Sequence, residues 1–96
     1  MPSFRVTVAV GRLRAGVAAE AVLPAASDAA AEATVVEASS VDVVARQARI
    51  TVRFMADTVD EAIRVAEHTV AGVDRLAETG PWQLTQRVGG RWFRRA

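Results

Sequence analysis

Between Ala48 and Pro81 the sequence passes from a period of two to a period near 3.6, and few architectures accept that succession. Ala48, Ile50, Val52 and Phe54 alternate with Arg49, Thr51, Arg53 and Met55, the pattern of a strand with one buried face. Thr58 and Glu61 follow as a T-x-x-E capping box. Val59, Ala62, Ile63, Ala66, Val70, Val73 and Ala77 then take the i, i+3, i+4, i+7 spacing that gives a helix one apolar stripe, with Asp60, Arg64, Glu67, His68 and Asp74 left in solvent. Gly80-Pro81 is expected to close this helix.

The remaining segments fit around this unit. Phe4, Val6, Val8 and Val10 alternate with Arg5, Thr7 and Ala9, a first strand expected to end at Gly11. Arg12 to Ala33 is Ala-rich and favours helix. Pro24 must start or break a helix there, through Val17–Leu23, from Pro24 to about Ala33, or both with a kink. Thr34 to Arg46 carries Val41, Val43 and Ala45 on one parity, with Ser39-Ser40 expected as a bulge or bend. The next strand begins almost at once, which predicts an antiparallel hairpin around Arg46-Gln47. Trp82, Leu84, Gln86 and Val88 alternate with Gln83, Thr85 and Arg87. Gly89-Gly90 supplies the positive φ angles of a two-residue turn, and Arg91 to Arg95 returns as a short terminal strand.

Strand, helix, strand, strand, helix, strand is the order of a ferredoxin-like split βαβ sandwich. It predicts an α+β domain over residues 1–96: four antiparallel strands, two helices on one face and an extra C-terminal strand. The resemblance is to that fold pattern and to no one family, and so many functions share the pattern that it carries little functional weight.

Ninety-six residues suffice for one domain, burying roughly 60–70% of the unfolded chain's surface. An apolar fraction of 51% argues against disorder. All 12 basic residues are Arg, and Lys, Asn, Tyr and Cys are absent. We read this as the bias of a GC-rich, bacterial genome, so Arg usage alone is no sign of anion recognition. With 11 acids the net charge is +1, which provides no global field toward nucleic acid or membrane. The absence of Cys removes disulfides, thiol chemistry and thiolate metal sites. No n-region and h-region precede the first strand and no apolar run reaches membrane length, so a soluble cytoplasmic protein without a membrane partner is expected.

Parity assigns the two faces of the sheet. With Phe4, Val6, Val8, Val10, Ile50, Val52, Phe54, Trp82 and Leu84 toward the helices, the open face carries Arg5, Thr7, Arg49, Thr51, Arg53, Gln83, Thr85 and Arg87. Sheets that bind single-stranded RNA stack bases on aromatics of the central strands. None stands at those positions here. Solvation of the Arg rows beside Asp42 or Glu37 is the plain account of this face; association into a homodimer and anion binding through Arg's fork of donors are the functional ones.

A second candidate surface is the basic terminal segment, where Arg87, Arg91, Arg94 and Arg95 crowd the last ten residues with no acid among them. Trp92 and Phe93 are adjacent, so on a strand they point to opposite sides. An exposed aromatic there can stack a base, pack on a partner, or fold back to blunt a sheet edge.

Enzyme chemistry finds little footing. His68 is the one histidine, expected in solvent without pocket or orienting partner, and one His without Cys makes none of the usual Zn or Fe sites. Asp57, Asp60 and Glu61 suit a helix's first turn. Gly11-x-x-x-x-Gly16 resembles a phosphate loop in its glycines, but Val17 and Ala18 replace the Lys and Ser or Thr. Ser27-Asp28 and Ser39-Ser40 read as turn or cap residues. The sequence therefore points to a non-catalytic domain, without cofactor or metal, that works by association with itself or another protein. Its candidate contact residues are Arg5, Arg49, Thr51, Arg53, Arg87, Arg91, Trp92, Phe93, Arg94 and Arg95. RNA or another polyanion is the alternative partner, and a small-ligand cleft under the first helix near Pro24 is a third.

Overall fold

The computed structural model describes residues 1–96. Its elements are β1 (Ser3–Leu13), a 3-10 turn (Ala19–Ala21), α1 (Val22–Ala33), β2 (Val36–Val44), β3 (Gln47–Met55), α2 (Val59–Asp74), β4 (Ala77–Val88) and β5 (Arg91–Arg94). The strands form one antiparallel sheet in the order β2-β3-β1-β4-β5. This is the expected ferredoxin-like α+β arrangement, with β5 added beside β4.

The parity of the central strands sets the layers. Phe4 lies opposite Phe54, Val6 opposite Val52 and Val8 opposite Ile50. All six are buried against Val22, Ala26 and Ala30 of α1 and Ala62, Val65, Ala66 and Val73 of α2. The Phe4 and Phe54 rings stack with centroids 6.0 Å apart, and burying each is worth about 1.5–3 kcal/mol. Small residues let the two helices approach closely: a Cβ at Gly72 would stand 2.7 Å from the Cβ of Ala29. Thr69, fully buried on α2, donates its hydroxyl proton to the Val65 carbonyl at 2.8 Å and so carries no unmet polar group into the core.

Several boundaries differ from the sequence-based expectation. β1 runs past Gly11 to Leu13, which pairs with Ala77, and Arg14 donates its N–H to the Leu76 carbonyl. The helix favoured from Arg12 is thereby displaced to Val22, because ladder pairing outweighs the propensity of an Ala-rich run. Pro24 sits in the first turn of α1, where a missing N–H leaves no bond unmade. The bulge in β2 falls at Glu37, between Val36 and Ala38, and not at Ser39-Ser40. The hairpin turn is Ala45-Arg46, not Arg46-Gln47, with both residues at positive φ (51° and 65°).

α2 begins as expected at Thr58, whose Oγ1 accepts the Glu61 N–H at 3.1 Å. Glu61 returns its carboxylate to the N–H of Asp57, one residue before the cap. The far end differs from the expectation. α2 stops at Asp74, and Ala77 and Gly80-Pro81 belong to β4. Arg14 supplies the stop, donating Nε to the Asp74 carbonyl at 3.1 Å and an Nη2 proton to its carboxylate, a cation where the helix dipole favours one. Gly80 and Pro81 form a bulge opposite Ala9, where the β1–β4 register shifts. β5 pairs only with Thr85–Val88, so Pro81 costs the outer edge no ladder bond.

Candidate interaction face

Strand pairing arranges the uncovered side of the sheet in rows. Arg53 of β3, Arg5 of β1, Thr85 of β4 and Arg94 of β5 form one row, with Ala38 of β2 at its end. Ser40, Thr51, Thr7 and Gln83 form the next, and the Thr7 and Thr51 hydroxyls share a 3.0 Å hydrogen bond. Asp42, Arg49 and Ala9 form the third. The expected parity holds: Arg49 and Arg53 look away from the helices while Ile50 and Val52 are buried.

Arg5 directly opposite Arg53 is a like-charge pair, which by itself opposes strand pairing. Trp92 resolves it. The two-residue turn at Gly89-Gly90 sets Trp92 opposite Arg87 on the open face. Its ring lies 3.9 Å from the Arg5 guanidinium and 5.3 Å from that of Arg53. A cation over an indole face gains about 0.5–2 kcal/mol depending on its exposure. Glu37 accepts from Arg53 Nε at 3.4 Å and from the Ser3 hydroxyl at 2.7 Å. As expected, no aromatic stands on the open face of the central strands; β5 delivers one across β4.

The ten candidate residues do not form one surface. Arg5, Arg49, Thr51, Arg53, Arg87, Trp92 and Arg94 share the open face. Phe93 pairs with Gln86 on the helix side of the edge, 43% exposed, with the Arg95 guanidinium 5.8 Å from its ring and Arg95 Nε donating to Gln86 Oε1. Arg91 lies opposite Val88 on that same side. Asp42, expected to pair with an Arg row, stands opposite Arg49 in register but makes no ion pair with it.

Positive charge gathers on the open face. The open face carries Arg5, Arg49, Arg53, Arg87 and Arg94 against Glu37 and Asp42. The helices carry Asp28, Glu32, Asp60, Glu61, Glu67 and Asp74 against Arg64 and His68, with Arg14 and Arg75 at the end of α2 and Arg91 and Arg95 on the helix side of the β5 edge offsetting most of that charge. A net charge of +1 therefore conceals a basic sheet face.

Two shallow hollows mark the open face. One, about 330 Å³, lies between Arg5, Arg53, Thr51, Ser40 and Asp42; the other, about 260 Å³, includes Arg49, Arg94, Thr7 and Gln83. Guanidinium groups beside hydroxyls suit oxyanions. Neither hollow contains a histidine. His68 has a partner that the sequence did not reveal, Glu32 of α1 at 2.9 Å, in an exposed interhelical contact. No three His, Cys, Asp or Glu side chains come together to hold a metal ion.

The cleft near Pro24 is an open apolar groove of about 680 Å³, with Val10, Leu13, Leu23, Pro24 and Val41 among its walls and Glu20 as its one polar side chain. A small-ligand site wants a few converging polar groups, and this groove does not provide them. No helix is long and apolar enough to cross a membrane. No family model, curated protein or solved structure matches the chain.

Proposed function

We propose that the chain is a non-catalytic association domain whose open sheet face receives an acidic surface of a protein partner, in a bacterial cytoplasm. The observation that carries this reading is the excess of positive charge on the uncovered face, five arginines against two carboxylates. A face of one sign steers an oppositely charged partner and fixes its orientation even when the net charge is near zero. Arg5 packs over the Trp92 ring and Arg53 contacts Glu37, which lowers the side-chain entropy cost of ordering them on binding.

A second reading, single-stranded RNA or another polyanion, is favoured by one observation: Trp92 lies on the basic face, where a base has an indole to stack on. Titration with poly-L-glutamate and with oligouridylate, each over a range of salt, tests both. The association reading expects binding to the polycarboxylate that weakens as salt rises and is lost in the Arg49→Glu, Arg87→Glu variant. Binding to oligouridylate alone, with quenching of Trp92, selects the second reading. Failure to bind either probe at low salt defeats both.

A further inference from the structure

We infer that the free edge of β2 pairs with the same edge of a second copy of the chain. The two strands run antiparallel about a twofold axis at Val41 and make one continuous sheet of five strands from each copy. This edge borders the open face at Ser40 and Asp42 but does not depend on that face's partner.

The two ends of the sheet are treated differently. At one end β5 is four residues long and rich in Arg, and the chain beyond it bonds back: the Leu84 N–H reaches the Ala96 carbonyl, and the Arg95 N–H the Leu84 carbonyl. Charge and brevity of this kind blunt an edge. At the other end β2 offers nine residues, Val-Glu-Ala-Ser-Ser-Val-Asp-Val-Val, with no Pro, Lys or Arg and a bulge only at its start. Its outward N–H and C=O groups form a template for another strand. The exposed apolar surface concentrates here as well: Val41 is 51% exposed, Val43 73% and Val44 47%. Val41 also walls the apolar groove beside Leu23 and Pro24.

Symmetry and charge select the occupant and the register. A twofold axis perpendicular to the sheet keeps both helix layers on one side, so residues of equal parity must pair. Centred on Val41, the pairing sets Val41 against its own copy and Val43 against Ser39 on the helix side. On the open side it sets Asp42 against Ser40, a carboxylate beside a hydroxyl donor, and Val44 against Ala38. Centring on Asp42 would oppose two carboxylates. Centring on Ser40 would leave Asp42 beside Ala38 and Glu37 beside Val43. Only the Val41 register gives each Asp42 a hydrogen-bond donor. It also closes: both β2 edges are consumed and the guarded β5 edges become the ends of the sheet.

Sedimentation equilibrium of the full chain is expected to show a concentration-dependent dimer. Ser40→Asp, at an exposed site, sets two like-charge pairs across the axis and should weaken dimerisation roughly tenfold. Adding Asp42→Ser exchanges donor and acceptor and should restore it. The chain has no Cys, so Val41→Cys should cross-link to its copy under mild oxidation while Val88→Cys, at an exposed valine of β4 remote from the axis, should not. Circular dichroism confirms that each variant keeps its fold. A wild-type chain that remains monomeric at all concentrations overturns the inference. Cross-linking through Val88→Cys as fast as through Val41→Cys overturns it too.

Discussion

Replacing Gly72 by Ala sets helix propensity against packing, and the distances decide which prevails. Gly72 stands in the last turn of α2, facing α1. Its added methyl would lie 2.7 Å from the Ala29 Cβ and 3.7 Å from the Ala25 carbonyl oxygen. Carbon atoms rest at about 3.5–4.0 Å, so the helices must part by roughly 1 Å, loosening Ala26, Ala30, Val65 and Val73, which are packed in the same core. Overpacking of this kind costs about 1–3 kcal/mol, while the gain from Gly to Ala is at most about 1 kcal/mol. Gly72→Ala should therefore lose about 0.5–2 kcal/mol in urea unfolding followed by circular dichroism, a fall of several degrees in Tm. Ala29→Gly alone should lose about 2 kcal/mol, from propensity and a buried methyl. The double variant exchanges the two residues and removes the clash. It should return to within about 1 kcal/mol of wild type, a coupling of roughly 1.5–4 kcal/mol. A Gly72→Ala chain more stable than wild type, or additive single effects, would refute this close approach of the helices.

Three further substitutions probe separate features. Thr58→Ala removes the acceptor for the Glu61 N–H and should cost about 1 kcal/mol in the same unfolding assay. Ala45→Asn with Arg46→Gly relieves two side chains held at positive φ in a turn that prefers Asn-Gly, and should stabilise the hairpin by about 1–2 kcal/mol. Trp92→Ala leaves Arg5 opposite Arg53 without a shared ring. It should cost about 1 kcal/mol at low salt, and the loss should shrink as salt screens the two guanidinium groups.

The sequence carried the fold wherever the physics is local. Alternation at Phe4–Val10 and Ile50–Phe54 assigns the buried face because a strand has no other way to hide those residues. Thr58 with Glu61, and the Gly89-Gly90 pair, mark a helix start and a turn through their own backbone needs. Errors arose where a distant residue decides. α2 ends at Asp74 because Arg14, 60 positions away, takes its carbonyl, and no local signal announces that. Gly80-Pro81 has the composition of a helix stop but lies where a sheet edge accepts a bulge. Leu13 extends β1 only because Ala77 is there to pair with it.

The candidate face was half legible. Parity found Arg5, Arg49, Thr51 and Arg53, yet Trp92 was placed only as one of two alternating aromatics. A signal was present: a two-residue turn pairs Val88 with Arg91 and hence Arg87 with Trp92, which puts the indole on the face already assigned to Arg87. The excess of arginine on the open face needs both the parity and the topology, and the net charge hides it.

The central claim is that the open, basic side of the sheet is the working surface, and amide and indole chemical-shift mapping tests it most directly. The isotopically labelled chain is titrated with poly-L-glutamate at low salt. Shifts should gather at Arg5, Thr7, Arg49, Thr51, Arg53 and Arg87 and at the Trp92 indole, leaving α1 and α2 unmoved. Shifts confined to the helices, or none anywhere, would contradict it.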